Sequence, residues 1–157
     1  MSLRGLLPLF ATAAVTAAAA VPAGAAPPQR VPSTPQTTDF EAGLFCSFAI
    51  RVTETTNKQT IKIFSSGSAL ATGAYKVTIT NLDNGRSISL NASGPGRLDT
   101  ETAYGRSLFF LASPEEAFGQ GVFVTTGRQQ IVRNAEGLIV AVNGGGTRSG
   151  NLCDAIA

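Results

Sequence analysis

Apolar and polar residues alternate along much of the chain after Phe40, a pattern typical of β-strands that bury one face. In the stretch 43–52, Leu44, Cys46 and Phe48 fall on the face expected to point inward, and the polar residues Ser47 and Arg51 fall on the other face. Seven or eight short strands are predicted in this way. The segments that carry them are 43–52, 60–64, 74–80, 86–92, 106–112, 122–127, 128–134 and 138–142.

Turn signals separate these segments about every eight to twelve residues, and no long helical pattern occurs. Asn84-Gly85 and Gly137 provide the positive backbone angles that tight hairpins require. The sequence therefore predicts an all-β fold, specifically an immunoglobulin-like β-sandwich of antiparallel strands. The one helical feature expected is a short turn near 114–118, where Ser113 precedes Pro114.

The N-terminal segment has the features of a secretory signal peptide over residues 1–25. Arg4 precedes an apolar run at 6–21, and Ala23-Gly24-Ala25 matches a cleavage site. The run is shorter than the roughly 20 residues that a membrane-spanning helix needs. We therefore expect a secreted, extracellular protein with no stable membrane insertion after cleavage. Residues 26–39 contain four prolines and are expected to form a flexible leader, and 40–157 to form one domain.

The chain has two cysteines, Cys46 and Cys153. Export would expose them to oxidising conditions, so we expect a disulfide that joins the first strand to the C-terminal tail. The alternative is a redox-active or nucleophilic pair. That alternative has no Cys-x-x-Cys spacing and no histidine to support it.

Histidine is absent from the whole chain, and Met1 is the only methionine. This composition excludes catalytic triads and histidine-ligated metal sites, so neither a cofactor nor a metal centre is expected. The charges, twelve basic and ten acidic, are spread along separate segments. The sequence contains no basic cluster of the kind that binds nucleic acid, so no nucleic-acid partner is expected.

A carboxylate-based hydrolase stays possible as an alternative, because glycosidases need only two acidic side chains. The acidic residues available for such a pair are Asp99, Glu101, Glu115 and Glu116. Their ordinary role would be that of solvated surface groups. The glycine-rich stretch 143–150 lacks the lysine of a phosphate-binding loop and is interpreted as a flexible connection.

Two loops contain residue types that are favoured at recognition sites. Arg97 follows the turn at 93–96, and Tyr104 and Arg106 flank Gly105. Arginine and tyrosine are enriched where proteins bind partners, and loops on rigid β-scaffolds often carry function. These three residues are the candidate ligand-binding loop. Asn91, followed by Ala and Ser, also fits a glycosylation acceptor.

Several segments together resemble a group of small secreted proteins of actinobacteria that have no known function. The resembling segments are Cys46 with Phe48, TGAYKVTITN at 72–81, GRSISLNASGPG at 85–96, VTTGR at 124–128 and NLC at 151–153. Members of the group commonly have glycine after the first cysteine, where this chain has Ser47. The resemblance implies secretion and a two-cysteine frame, and it brings no catalytic residues.

The function expected from the sequence is that of a non-catalytic extracellular binding module. Its partner would be an extracellular protein or a cell-wall glycan, because no catalytic constellation is present. Besides the hydrolase, a carrier of a small apolar ligand is a further alternative. A carrier would require a cavity where the sandwich otherwise has a filled core.

Overall fold

The computed structural model describes residues 26–112 and 119–157. The expected signal peptide at 1–25 and the expected helical turn at 114–118 lie outside these residues. Within them the fold is all-β, with thirteen strands and one short helix. The strands are β1 Gln29–Pro32, β2 Thr37–Phe40, β3 Ile50–Asn57, β4 Thr60–Ile63, β5 Ala69–Thr72, β6 Tyr75–Asn81, β7 Ser87–Asn91, β8 Gly96–Arg97, β9 Thr102–Tyr104, β10 Ser107–Leu111, β11 Gly121–Thr125, β12 Arg128–Arg133 and β13 Ile139–Gly144, and the helix α1 is Leu152–Ile156.

The strands form three antiparallel sheets. A four-stranded sheet has the order β2-β3-β6-β7, and β10 pairs with β11 as a two-stranded sheet. The third sheet has seven strands in the order β1-β4-β5-β8-β9-β12-β13. The all-β prediction is confirmed, and the immunoglobulin-like arrangement stays a prediction. More strands are present than expected, because strands as short as β8 are too brief to show alternation.

The β10–β11 pair lies between two apolar clusters. One cluster joins it to the four-stranded sheet and α1, and includes Ile79 and Val122. The other joins it to the seven-stranded sheet, and includes Leu111, Phe123 and Val142. Every residue of β11 is buried, since the strand has apolar neighbours on both sides. This explains why 106–112 and 122–127 are rich in apolar residues.

The segment expected to be a leader outside the domain contributes two paired strands. β1 pairs with β4, so that Val31 lies opposite Ile61. β2 pairs with β3, and Asp39 there forms an ion pair with Arg51 at 2.7 Å. The sheets thus begin at Gln29 and not at Phe40. Proline is compatible with β1 because β1 is an edge strand, where one side of the backbone has no ladder partner.

The disulfide between Cys46 and Cys153 is confirmed, with the two Cα atoms 5.5 Å apart. The prediction that Cys46 lies within a strand is wrong, because β3 begins only at Ile50. Gly43 has a positive φ of 89° and donates its N–H to the Cys46 carbonyl at 2.7 Å. The turn lets the consecutive residues Phe45 and Cys46 join the same core cluster, whereas a regular strand would point them to opposite faces.

The C-terminal segment is held by several polar contacts besides the disulfide. Asn151 caps α1 by accepting a hydrogen bond from the Cys153 N–H at 3.1 Å. The Asn81 side chain donates to the Ile156 carbonyl at 2.9 Å. The stretch 143–150 is also attached, since the Ser149 N–H donates to the Val124 carbonyl at 2.8 Å. The expected free connection is therefore a segment that pairs with β11.

Candidate binding face

One row of side chains crosses the outward surface of the seven-stranded sheet. Residues that pair directly across antiparallel strands point to the same face, so the register identifies the row. It faces away from the β10–β11 pair, because the neighbouring positions Ala103 and Val142 lie in the core cluster. We call it the outer row; it consists of Arg30, Lys62, Leu70, Arg97, Thr102, Gln130 and Asn143.

The outer row spans the full width of the sheet. Six strand-to-strand spacings of about 4.8 Å give a length of roughly 29 Å. Arg128 pairs with Tyr104, and the register places both on the same surface. We call the surface formed by the outer row, Tyr104 and Arg128 the outer face. It is long and mostly polar, in contrast to the apolar positions on the opposite side.

The outer face is positively charged. Arg30, Lys62, Arg97 and Arg128 contribute four cations from four different strands. Asp99, two residues after the end of β8, is the carboxylate that lies against this group, and it pairs with Arg97 at 2.8 Å. These cations are far apart in the sequence and are brought together by strand order. A surface with this excess of one sign attracts anionic ligands over a distance of about a Debye length, 8–10 Å at physiological salt.

Arg97 is fixed in place by its neighbours. Its guanidinium bonds both oxygens of Asp99 and reaches the Ser68 hydroxyl at 3.4 Å. The hydrogen bond with Asp99 raises the pKa of Arg97, and Tyr104 adds a smaller contribution in the same direction. A depression of about 350 Å³ lies beside it, with the Phe64 ring and Leu70 in its wall.

The other end of the outer row has amide side chains. Gln130 donates to the Thr100 carbonyl at 2.8 Å and accepts a hydrogen bond from the Thr102 hydroxyl at 3.3 Å. It is thereby oriented before any ligand binds. A second depression of about 260 Å³ contains Gln130, Arg128 and Asn143 in its wall. Amides both donate and accept hydrogen bonds, so this end suits a ligand rich in hydroxyl groups.

The three residues of the predicted loop do not form one site. Arg97 and Tyr104 lie on the outer face, on β8 and β9. Arg106 lies elsewhere, in a groove that also contains Arg148 and Leu152. The backbones are nonetheless close, because a Cβ added to Gly94 would be 2.2 Å from the Tyr104 carbonyl oxygen. The two loops meet through their backbones, while the side chains of Arg97 and Arg106 point to different surfaces.

The acidic residues proposed for a hydrolase are separated by their partners. Asp99 pairs with Arg97, whereas Glu101 pairs with Arg133 at 3.1 Å. Glu115 and Glu116 lie outside the described residues. No group of three or more acidic, cysteine or histidine side chains suitable for a metal ion occurs in 26–112 and 119–157. Over the same residues, no helix has the length and apolarity required to cross a bilayer.

Sequence reasoning missed Arg30, Lys62, Arg128, Gln130 and Asn143 as parts of one surface. Alternation in TIKI assigns Lys62 to the polar side of its strand, but no local pattern indicates which strands are neighbours. The row becomes apparent only from the strand order, in which β8 and β9 connect β5 to β12.

The environment of Asp99 leads to a prediction about pH. Hydrogen bonds from Arg97 and from the Ala69 N–H hold the pKa of Asp99 below its ordinary value of 3.8. A carboxyl group whose pKa is lower in the folded state stabilises the fold above its unfolded pKa, and this contribution is lost as the pH falls through the folded pKa. We expect the free energy of unfolding to fall more steeply below pH 3.8 in the wild type than in Asp99→Asn.

Urea denaturation at several acidic pH values measures this difference, and NMR titration of the Asp99 carboxyl carbon gives its pKa directly. The Asp83→Asn variant is a suitable control, because Asp83 forms none of the ion pairs in the described structure. An Asp99 titration midpoint at or above 3.8, or the same pH dependence for wild type and Asp99→Asn, would contradict the described ion pair.

The chain matches no protein-family model, no curated protein and no solved structure. The functional argument therefore depends on the chain's own residues and their arrangement.

Proposed function

We propose that the protein is a secreted, non-catalytic binding module and that its outer face binds an acidic glycan of the cell wall. The observation that carries this proposal is the outer row, in which the strand order brings cations and amides from five strands onto one side of the sheet, with Leu70 and the buried Thr102 between them. The buried disulfide is in keeping with an oxidising, extracellular location. The signal-peptide features of residues 1–25 support the same location.

The shape of the outer face favours a polymer over a small molecule. Its two depressions lie near β5 and β13, four strand spacings or roughly 19 Å apart. A small ligand would occupy one depression and leave the other unused. An extended chain could contact both, so that several weak contacts add up to useful affinity.

The chemistry of the outer face favours an acidic glycan among polymers. Lys62, Arg97 and Arg128 can form charge-assisted hydrogen bonds with carboxylate or phosphate groups. Asn143 can bond sugar hydroxyls through both ends of its amide, and Gln130 can accept from them through its carbonyl oxygen, since its N–H groups already donate to the Thr100 and Glu101 carbonyls. The exposed Phe64 ring gives one depression an apolar wall. The flanking Thr60 and Thr72 hydroxyls lie on the same side of the sheet as Lys62 and add further polar groups.

Of the acidic residues named for the hydrolase alternative, Asp99 and Glu101 do not favour it. A retaining or inverting pair needs two carboxyl groups that face one scissile bond. Asp99 lies against the outer face, whereas Glu101 is held by Arg133 across the next pair of strands. The ion pair also lowers the pKa of Asp99, which opposes the raised pKa required of a general acid.

A binding experiment with charge variants tests the proposal. The ligand is polygalacturonate, a carboxylated polysaccharide, with neutral dextran as the comparison and isothermal titration calorimetry as the measurement. We expect polygalacturonate to bind, with affinity that falls as salt is raised, and dextran to bind far more weakly. The Lys62→Gln/Arg128→Gln variant should bind polygalacturonate about tenfold more weakly, which corresponds to about 1.4 kcal/mol.

The matched control is Lys76→Gln/Arg106→Gln. It also removes one lysine and one arginine, and both are exposed side chains outside the outer face. This control should bind as the wild type does. Equal loss in both variants would show that net charge alone matters and would overturn the proposed face. A DNA duplex that binds more tightly than polygalacturonate, and is lost in Lys62→Gln/Arg128→Gln, would assign the face to nucleic acid instead.

A further inference from the structure

The inner surface of the seven-stranded sheet is apolar where it extends beyond the core. We call β1, β4, β5 and β8 the arm. Val31, Ile61 and Ala71 pair across the arm and share its inner side with Ile63. Only beyond β8, at Ala103, does this side enter a core cluster. The arm therefore presents apolar side chains that its own fold does not cover.

The exposure of these side chains is large. Val31 is 39% exposed, Ile63 is 38% exposed and Leu98, directly after β8, is 48% exposed. They account for half of the six exposed large apolar side chains in the described part of the chain. An isolated exposed apolar residue is ordinary, but a group on one surface indicates a binding site.

An open crevice of about 370 Å³ lies where the arm meets the core. Its walls include Ala71 and Leu98 from the arm, and Tyr75, Leu108 and Ile131 from the body of the protein. The volume falls within the range of small-molecule sites, which are lined mainly by apolar groups with a few polar ones. The Tyr75 hydroxyl donates a hydrogen bond to Glu54 at 3.1 Å. Because this polar group is already bonded, the Tyr75 ring can serve as an apolar part of the crevice wall.

Small residues leave space beside the crevice, since Ala71 and Ala103 lie in its wall and Gly96 lies between them on the same side of the sheet. Gly96 pairs with both Ala71 and Ala103 and belongs to the same side of the sheet. A Cβ added to Gly96 would be 3.7 Å from the Thr102 carbonyl oxygen, which is an ordinary contact, and no positive φ requires glycine there. The backbone could therefore accept a larger residue at position 96. The open space above Gly96 is thus not the result of a backbone conformation that requires glycine.

One cation lies in the crevice wall. Arg133 is 42% exposed and pairs with Glu101 at 3.1 Å, and it also donates to the Gly137 carbonyl at 2.9 Å. Exposed ion pairs of this kind contribute at most about 1 kcal/mol, so a ligand carboxylate can compete with Glu101 for the guanidinium. The crevice thus combines an apolar wall with one cationic group.

We infer that the crevice binds a long-chain carboxylic acid, with the hydrocarbon chain along the arm and the carboxylate at Arg133. The charge of Arg133 favours a carboxylate over an uncharged head group. The apolar residues of the arm favour a ligand with a long hydrocarbon chain. This site lies on the opposite side of the sheet from the outer face and does not depend on the glycan proposal.

The test uses dodecanoate below its micellar concentration, with 1-dodecanol as the uncharged comparison. Binding to the oxidised protein is measured by competition with a fluorescent fatty-acid probe and by native mass spectrometry. Dodecanoate should bind with one-to-one stoichiometry. Gly96→Val should weaken it at least tenfold by filling the crevice, whereas Gly150→Val, at an exposed position with open space around it, should bind as the wild type does.

Arg133→Gln separates the two parts of the inference. It should weaken dodecanoate about fivefold to tenfold and leave 1-dodecanol unchanged. Ala71→Leu fills the same crevice from β5 and replaces Gly96→Val if that variant does not fold. No one-to-one binding of dodecanoate, or wild-type affinity in the folded crevice-filling variant, would overturn the inference. Equal weakening of dodecanoate and 1-dodecanol in Arg133→Gln would overturn the role of the carboxylate.

Discussion

Replacing both cysteines, as Cys46→Ala/Cys153→Ala, should lower the free energy of unfolding by about 3–5 kcal/mol. The disulfide closes a loop of 107 residues, so its loss gives the unfolded chain a large gain in conformational freedom. It also fastens α1, whose buried Leu152 and Ile156 complete a core cluster. Urea denaturation followed by circular dichroism measures the change. The slope of the free energy of unfolding against urea concentration should be larger in the variant, because its unfolded state is more expanded.

Reduction of the wild-type protein is the control for this prediction. It breaks the same bond but keeps both sulfur atoms in the core, where cysteine packs as a small apolar residue. The reduced protein and the double variant should therefore lose similar stability. A loss below about 1 kcal/mol in both would contradict the role assigned to this bond, since native disulfides in small secreted domains usually contribute more.

Leu111→Ala should destabilise the fold by about 3 kcal/mol, because it leaves a cavity where no solvent can enter. Leu111 is fully buried on β10 and packs with Phe109, Phe123 and Val142. The cluster joins the β10–β11 pair to the seven-stranded sheet, so the substitution weakens the contact between these layers. Thermal and urea denaturation measure the loss.

Leu82→Ala provides the matched comparison for Leu111→Ala. Leu82 lies in the turn after β6 and is 41% exposed, so removal of its side chain should change stability by no more than about 0.5 kcal/mol. Equal effects of the two substitutions would contradict the placement of β10 between the two apolar clusters.

Local sequence patterns predicted most of the longer strands. Alternation correctly located β6, β7 and β12, and the hairpin glycines Gly85 and Gly137 both have positive φ angles. These features depend on residues close together in the chain, so a single sequence contains the necessary information. The pairing of Cys46 with Cys153 could be predicted because only one pairing is possible.

Other features depend on contacts that no local pattern reveals. β1 contains two exposed charged or amide residues and a proline, and it forms a strand because β4 offers it a ladder partner. Alternation at 43–52 was misleading, since Gly43 bends the chain and Phe45 joins the core beside Cys46. To predict the outer row, one must know the strand order of the whole sheet. Sequence therefore indicated Arg97 and Tyr104 but gave no reason to combine them with Lys62 or Gln130.

The most direct test of the proposed outer face is an NMR titration of the ¹⁵N-labelled, oxidised protein with short galacturonate oligomers. We expect the largest shift changes at the amides of Lys62, Arg97 and Gln130 and at their neighbours along the outer row, with little change on β3 and β6. The same titration of Lys62→Gln/Arg128→Gln should give smaller changes at equal oligomer concentration. Shift changes confined to the four-stranded sheet, or absent from the outer row at low salt, would contradict the proposal that this face binds acidic glycans.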